Sequence, residues 1–453
     1  MGLQLTADVA GGDSTTIPGF LGHFQAGTNQ GFVGFDSNNT GLRQVSVPIN
    51  LSGLDAGVYL GSTSNLAVSG ALTFPGGTYR FAGYKGGEVG VLSTLSGGGG
   101  VKIGEPNTPA TYASADKSTI STVTLAGNNT YTGGTDFYAG RLVIGGAGTT
   151  AALGSTASPL RVQSNNFSDE GTRRLEVHSS VTAIANNIEL NADLDVGGGS
   201  DFTLAGVISG LGELYKVDSN TLTLAGNSSG FSGGIYVQQG NVRLMHANAA
   251  GTGVLQMGGP SGPSVTFGVS STVNGIFGDN ATDRIYLDSG VGMTVNQTAY
   301  AQYLGTFVSN GSGTSLVFKG PSAGSPVQLR LAGSSSLFTG TTTIQSGILL
   351  VAANNSAFGP AGNVVALTGG KLAVGGDTTL SNSLTLTSGK LGGVGTIEAA
   401  TTLHIGGSGS NQVVLAPGVT GPGTLYFSGT RLSSIPVLSL DAGGAYQWQL
   451  MDA

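Results

Sequence analysis

Short runs in which apolar and polar residues alternate recur along this chain, roughly every 8–15 residues. Such alternation is typical of half-buried β-strands. Clear examples are Leu160-Arg161-Val162, Leu175-Glu176-Val177, Ile188-Glu189-Leu190, Leu194-Asp195-Val196 and Phe202-Thr203-Leu204. Helical periodicity is almost absent, and residues 246–250 are expected to form at most a turn. Asn-Gly hairpin signals are rare, so the pattern predicts many short strands that are not joined mainly as hairpins.

Three stretches share a longer pattern of Leu-Ala-Gly, a polar turn, one aromatic residue, a turn of small residues, a strand, a glycine and another strand. The leucines and aromatic residues that align are Leu125 with Tyr131, Leu224 with Phe231, and Leu331 with Phe338. From leucine to closing glycine the copies span 15, 16 and 16 residues. A lysine precedes each copy by a variable gap, at Lys102, Lys216 and Lys319. Fixed strands with variable gaps indicate a solenoid with loops on one face.

The predicted fold is therefore all-β, a right-handed parallel β-helix of roughly 20 coils if each coil takes ~22 residues. The motif spacing predicts a β-rich N-terminal segment at 1–119, continuous with the solenoid. It further predicts one repeat unit at 120–220, a second at 221–324, and a third at 325–453 that includes the C-terminal coils.

Composition narrows the class of protein. Glycine accounts for 81 of 453 residues without a collagen period, and only 9% of residues are charged while 39% are apolar, which argues against disorder. The net charge is −7 and the nearest approach to a basic patch is Arg173-Arg174, so nucleic acid is not an expected partner. The chain has no cysteine, no apolar run long enough to span a membrane and no visible signal sequence.

The residues at 125–134, Leu-Ala-Gly-Asn-Asn-Thr-Tyr-Thr-Gly-Gly, resemble the autotransporter-associated β-strand repeat, also called the passenger-associated transport repeat. Residues 206–216 are similar to the lead-in of that repeat, residues 415–425 to its tail, and residues 446–450 to the strand that follows. The resemblance implies a β-helical passenger region of a bacterial protein exported to the surface. It also implies that the repeat carries no catalytic residues.

Some parallel β-helices cleave polysaccharides, and that chemistry needs clustered carboxylates. The densest acidic region contains Glu189, Asp193, Asp195 and Asp201. Asp193 and Asp195 should share one side of a strand, where a solvated surface explains them better than catalysis.

A calcium ion favours several oxygen ligands from one turn. The candidate ligands in this sequence are Asp279, Asn280, Asp283 and Asp288. Their spacing fits neither an EF-hand nor a nonapeptide calcium repeat, so surface turns are the better interpretation. The histidines lack metal-ligand spacing; they are His23, His178, His246 and His404. Residues 97–100 are a glycine run without the lysine of a phosphate loop, and a turn is expected there.

Tyr131, Phe231 and Phe338 could stack on sugars, but their shared position in the repeat favours packing in the core or at a corner. We therefore expect a non-enzymatic extracellular scaffold or stalk, without catalytic residues, metal or cofactor. Its expected partners are other copies of itself, joined end to end through a strand at 447–450, or glycans and cell-surface components. The alternative is a carbohydrate-active or tailspike-like enzyme.

Overall fold

The computed structural model describes residues 2–5, 8–9, 15–24, 31–37, 42–83, 86–104, 121–149, 151–164, 173–398, 403–407, 412–418, 423–428 and 438–447. These residues are nearly all β, and parallel strands form a β-solenoid of about 15 turns. The prediction of a β-helical solenoid is confirmed. The turns are fewer than the roughly 20 expected because long connections lengthen several of them; 34 positions separate Val101 from its partner Thr135. The right-handed winding stays a prediction based on the usual hand of parallel crossovers.

The chain divides into two compact units, residues 1–226 and 227–453. The three repeat units expected from motif spacing stay a prediction.

The first unit contains a short helix, α1 (Thr16–Leu21), a 3-10 turn at Pro75–Gly77, and strands β1 to β22. In order, the strands are β1 (Gly2–Leu5), β2 (Gly31–Ser37), β3 (Arg43–Val45), β4 (Ile49–Asn50), β5 (Val58–Ser62), β6 (Asn65–Val68), β7 (Leu72–Thr73), β8 (Tyr79–Gly83), β9 (Glu88–Val91), β10 (Val101–Ile103), β11 (Thr122–Leu125), β12 (Thr135–Phe137), β13 (Gly140–Ile144), β14 (Leu160–Val162), β15 (Arg173–Val177), β16 (Ala183–Ile184), β17 (Ile188–Leu190), β18 (Leu194–Val196), β19 (Phe202–Leu204), β20 (Ile208–Gly210), β21 (Leu214–Lys216) and β22 (Thr221–Leu224).

The second unit contains strands β23 to β45. In order, they are β23 (Ile235–Val237), β24 (Asn241–Leu244), β25 (Leu255–Met257), β26 (Ser264–Phe267), β27 (Ser271–Val273), β28 (Ile276–Gly278), β29 (Arg284–Leu287), β30 (Gly292–Asn296), β31 (Ala301–Tyr303), β32 (Thr306–Ser309), β33 (Thr314–Lys319), β34 (Val327–Leu331), β35 (Gly340–Ile344), β36 (Ile348–Ala352), β37 (Val364–Val374), β38 (Thr379–Leu380), β39 (Ser383–Gly393), β40 (Thr396–Glu398), β41 (Leu403–Ile405), β42 (Val413–Pro417), β43 (Tyr426–Ser428), β44 (Leu438–Leu440) and β45 (Ala445–Tyr446).

Three strands form one coil, as the most regular part of the first unit shows. Strands β17, β18 and β19 belong to three different sheets. Strands β20, β21 and β22 repeat them 20 residues later, with Ile188 opposite Ile208, Leu194 opposite Leu214 and Phe202 opposite Leu222. All these pairings are parallel. The five alternating runs singled out in the sequence lie within β14, β15, β17, β18 and β19, so those strand predictions are confirmed.

The core is built from columns of apolar residues that stack from coil to coil. One column runs through β6, β9, β11, β13, β15 and β18, and each of its members is less than 3% exposed. Its residues are Leu66, Val89, Val123, Leu142, Leu175 and Val196. Full burial of one such side chain contributes about 1.5–3 kcal/mol, so a continuous column stabilises each coil against its neighbours.

The helix α1 lies in the segment that the sequence predicts to be β-rich, and no helix was expected there. It is six residues long, buries Ile17 and carries Pro18 within its first turn. Proline is tolerated there because the first turn of a helix needs no intrahelical partner for its N–H groups. The helix is too short for apolar periodicity to reveal it.

Candidate functional surfaces

The shared motif forms a corner of the coil rather than a binding site. Tyr131, Phe231 and Phe338 are each 0% exposed, which confirms that they pack in the core. The closing glycines Gly140 and Gly240 have φ of 94° and 73°, a left-handed conformation that other residues rarely adopt. These aromatic rings are therefore unavailable to a sugar.

Close approach between coils explains the glycine of Leu-Ala-Gly. A Cβ atom at Gly127 would meet the carbonyl oxygen of Ser93, and one at Gly333 would meet that of Gly305, far inside van der Waals contact. Two residues after this glycine, a buried side-chain oxygen accepts a hydrogen bond from the preceding coil. Asn129 Oδ1 accepts from the N–H of Leu95 at 2.8 Å, and Ser335 Oγ accepts from the N–H of Phe307 at 3.2 Å. The motif thus encodes contact between coils.

Two of the four acidic candidates join successive coils. Asp193 Oδ1 accepts a hydrogen bond from the N–H of Glu213 at 2.8 Å, and Asp201 Oδ1 accepts one from the N–H of Thr221 at 2.6 Å. In both cases the donor lies 20 residues further along the chain, which is one coil. These carboxylates satisfy backbone groups at turns.

The other two acidic candidates lie in different sheets. Glu189 lies in β17, and its Oε2 is 3.3 Å from Nε of Arg161 in the neighbouring strand β14. Asp195 lies in β18, in register with Arg174 of β15. The structure therefore distributes the acidic group over separate faces and does not assemble a carboxylate pair around one cleft.

A charged cluster that sequence reasoning missed surrounds Arg174. Its Nε lies 2.6 Å from Glu176 Oε1, and its Nη2 lies 2.6 Å from Asp218 Oδ2. Arg141 also contacts Glu176, and Asp218 Oδ2 accepts a hydrogen bond from the N–H of Gly198 at 2.7 Å. The cluster ties together residues 44 positions apart. Only the coil length, which the sequence does not state, could have predicted this proximity.

Lys216 follows Val196 in the apolar column described above, since the two residues are in register. It is 0% exposed, and its Nζ donates hydrogen bonds to the carbonyl oxygens of Val217 at 2.5 Å and Asp218 at 2.7 Å. Burial lowers the pKa of Lys216 to about 8, although Asp218 opposes that shift. The equivalent Lys102 and Lys319 are half-buried on their strands, so the three lysines do not share one role.

The four residues considered for calcium separate into two environments. Asp288 binds Arg243, with 2.5 Å between Oδ2 and Nη2, and its Oδ1 accepts a hydrogen bond from Asn310 Nδ2 at 3.0 Å. The hydrogen bond from Asn310, followed by that from Arg243, lowers the pKa of Asp288. This carboxylate is already neutralised by protein groups.

Asp283 has the opposite environment. It is 0% exposed, its Oδ2 accepts a hydrogen bond from the N–H of Asn280 at 3.3 Å, and its Oδ1 has no partner among the described residues. Burial raises the pKa of Asp283 to about 6, with a smaller contribution from Asp279. Within the described ranges, no group of three or more histidine, cysteine, aspartate or glutamate side chains could hold a metal ion.

The histidines have local partners or lie at the surface. His178 Nδ1 is 2.8 Å from Ser180 Oγ, His404 Nδ1 is 2.8 Å from Asp441 Oδ2, and His246 accepts a hydrogen bond from a turn N–H. His23 is exposed beyond the end of α1. They form no common site in the part of the chain that the structure describes.

One outward-facing column in the second unit has an unusual composition. Tyr236 of β23 pairs with Gln256 of β25, which pairs with Phe277 of β28. Because Gly278 pairs with Tyr303, the next position of the column is Gln302 of β31, which in turn pairs with Arg330 of β34. We call these residues the aromatic–amide column; they are Tyr236, Gln256, Phe277, Gln302 and Arg330.

Comparison with known proteins gives two matches. The family model of the passenger-associated-transport-repeat matches residues 121–144, 214–244 and 328–351. These ranges contain the three corners described above, so the fold and its corner motif define a β-solenoid that carries three passenger-associated transport repeats. The resemblance stated from the sequence is confirmed.

A curated relative is the adhesin BmaC, an autotransporter of Brucella suis biovar 1. It is 30% identical to this chain over 156 residues, which cover 32% of this chain. The match spans 4% of the length of the adhesin. No solved structure matches this chain. Among the described residues, no helix combines the length and the apolar character needed to cross a membrane.

Proposed function

We propose that this chain is a non-enzymatic β-helical passenger segment of an exported bacterial surface protein and that it acts in adhesion. The observation that carries the proposal is the presence of three passenger-associated transport repeats, each built into a coil corner. Similarity to an autotransporter adhesin supports adhesion rather than self-assembly as the role.

The environment of the acidic residues supports a role without catalysis. Glycoside cleavage commonly uses two carboxyl groups that face one bond from opposite sides, about 5–10 Å apart. Asp193 and Asp201 accept backbone hydrogen bonds, and Glu189 pairs with Arg161. Each of these three carboxylates therefore has a partner within the solenoid.

Display on a non-adherent bacterium would test the proposal. The chain would be fused to an autotransporter translocator, its exposure verified by protease treatment of intact cells, and attachment to cultured epithelial cells counted. We expect display to raise attachment by about tenfold over the translocator alone. Display without any gain in attachment would contradict adhesion, and release of reducing sugars from polysaccharide by the purified chain would favour the enzymatic alternative.

A further inference from the structure

Two members of the aromatic–amide column, Gln256 and Phe277, lie partly exposed on the second unit. Phe277 is 38% exposed, although it lies at the centre of a strand. Within the described residues its ring makes no contact with another aromatic ring, and the amide of Gln256 forms no side-chain hydrogen bond. Tyr300, which directly precedes β31, is 69% exposed. Apolar and hydrogen-bonding surface is thus concentrated on one face of the second unit.

Another face of the same unit satisfies its own polar groups. On β24, Asn241 Nδ2 donates hydrogen bonds to Ser264 Oγ at 2.8 Å and Thr266 Oγ1 at 3.0 Å. Arg243 of the same strand pairs with Asp288. On that face the half-exposed polar side chains pair with each other, whereas the amide of Gln256 in the aromatic–amide column is left without a side-chain hydrogen bond among the described residues.

The column is arranged as a narrow, straight track. Its residues occupy equivalent positions in successive parallel strands, so neighbouring side chains stand about 4.8 Å apart along the stack. That spacing is close to the length of one sugar ring in an extended glycan. Aromatic faces at Tyr236 and Phe277 can cover the apolar C–H faces of sugar rings, while the amide of Gln256 between them can donate to and accept from hydroxyl groups.

The charges near the column favour a neutral occupant. The guanidinium of Arg330 donates a hydrogen bond from Nη1 to Gln302 Oε1 at 2.9 Å, and it is the only cation of the column. Asp279 contributes a carboxylate at the edge: its Oδ1 and the hydroxyl of Tyr236 both lie within about 3 Å of the position that a Cβ at Gly258 would take. One positive and one negative group leave little net attraction for a polyanion.

We propose that the aromatic–amide column binds an extended, uncharged glycan chain that lies along the stack of coils. This proposal rests on the proposed adhesive function and deepens it, because it names the surface and the chemical class of ligand. The glycan contacts Tyr236, Gln256 and Phe277 through stacking and hydroxyl hydrogen bonds, and Gln302 extends the track by one more coil.

The purified full chain would be applied to an array of neutral and acidic oligosaccharides, and hits measured by isothermal titration calorimetry. We expect binding to neutral glycans, with hexasaccharides binding more tightly than disaccharides because they span more coils. Phe277→Ala should weaken binding about tenfold. Tyr426→Ala is the matched control, since Tyr426 is 59% exposed in the same unit but lies in β43, outside the column.

Three results would overturn the proposal: no neutral glycan is bound, only acidic glycans are bound, or Phe277→Ala and Tyr426→Ala bind equally well. Circular dichroism of both variants shows whether the solenoid remains folded, and Phe277→Tyr, which keeps an aromatic face, should retain most of the affinity. If displayed cells adhere while the column binds no neutral glycan, the proposed adhesive function holds and the proposal that the column is its binding site fails. If the column binds glycan but displayed cells do not adhere, the proposed function fails alone.

Discussion

Two charged side chains, Lys216 and Asp283, are fully buried in the solenoid. Lys216 directs its ammonium group to two backbone carbonyls, so hydrogen bonds offset part of its burial cost. Asp283 has one oxygen with no partner among the described residues. Asp283 therefore offers a direct test of how an ionised group within the core affects stability.

Asp283→Asn provides that test. The folded pKa of Asp283 is raised from 3.8 to about 6, so folding favours the protonated form. Stability should be greatest below about pH 4, fall as the pH rises through about 6, and stay lower above it. The groups that act on this carboxyl are Asp279, Arg284 and the nearby Tyr303.

Asp283→Asn should remove this fall and raise the free energy of unfolding at pH 7 by about 1–3 kcal/mol. Urea unfolding between pH 4 and pH 7 measures the effect. Asp377→Asn, at an exposed site in the same unit, serves as the control and should leave the pH dependence unchanged. Equal pH dependence in the wild type and in Asp283→Asn would show that this carboxyl does not titrate within the core.

Strands of this protein are stabilised by their neighbours in the stack more than by their own sequence. Eighteen of the 45 strands in the described residues have only three residues, which is too short to be stable alone. Side chains on the outer faces add contacts from coil to coil, as Arg161 does by lying between Asp136 at 3.5 Å and Glu189 at 3.3 Å. Exposed pairs of this kind contribute little individually, and partly buried networks contribute more.

The cluster around Arg174 is such a network, because Glu176 has a side chain only 9% exposed. Arg174→Ala should lower the free energy of unfolding by about 1–2 kcal/mol, since it removes one of the partners of both Glu176 and Asp218. The loss should shrink in high salt, where screening weakens the ion pairs in the wild type. Urea unfolding at two salt concentrations would measure it.

Arg80→Ala is the matched control in the same unit, since the guanidinium of Arg80 donates to the carbonyl oxygen of Thr78 at 3.1 Å and forms no ion pair among the described residues. Arg80→Ala should lower the free energy of unfolding by less than Arg174→Ala does, and this loss should depend little on salt. An Arg174→Ala variant as stable as the wild type would show that the cluster is no more than a surface arrangement.

The sequence predicted the strands and the core positions of the motif because both depend on local patterns. The alternation at Leu194-Asp195-Val196 shows which side of the strand is buried, and the shared position of Tyr131, Phe231 and Phe338 in the repeat indicates a common environment. It did not predict the aromatic–amide column or the Arg174 cluster. Both depend on which residues of successive coils lie opposite each other. Because the connections differ in length, no fixed spacing in the sequence predicts that register. A fourth Leu-Ala-Gly stands at 204–206, one coil before that at 224–226.

In a solenoid each coil contacts mainly the coils before and after it, so a local defect should remain local within a unit. Gly333→Ala tests this, because its Cβ would meet the carbonyl oxygens of Gly305 and Leu304 in the preceding coil. We expect faster amide hydrogen exchange in β31, β34 and β36, and unchanged exchange in β23 and β25 of the same unit.

Gly362→Ala is the control for that experiment, since a Cβ at Gly362 has no neighbour within 4 Å. Its exchange pattern should match the wild type. Uniform loss of protection across the second unit in Gly333→Ala would instead show that its coils unfold together.

The parallel register of the coils has a mechanical consequence. Hydrogen bonds between β17 and β20 join strands that are neighbours in the stack, and each coil in this region contains 20 residues. A pull on one end of such a stack loads these bonds one coil at a time, so the coils peel away in sequence. Each released coil would lengthen the chain by up to about 70 Å at 3.3–3.6 Å per residue. A chain of this design would yield in steps under tension, and each opened coil would dissipate part of the applied energy.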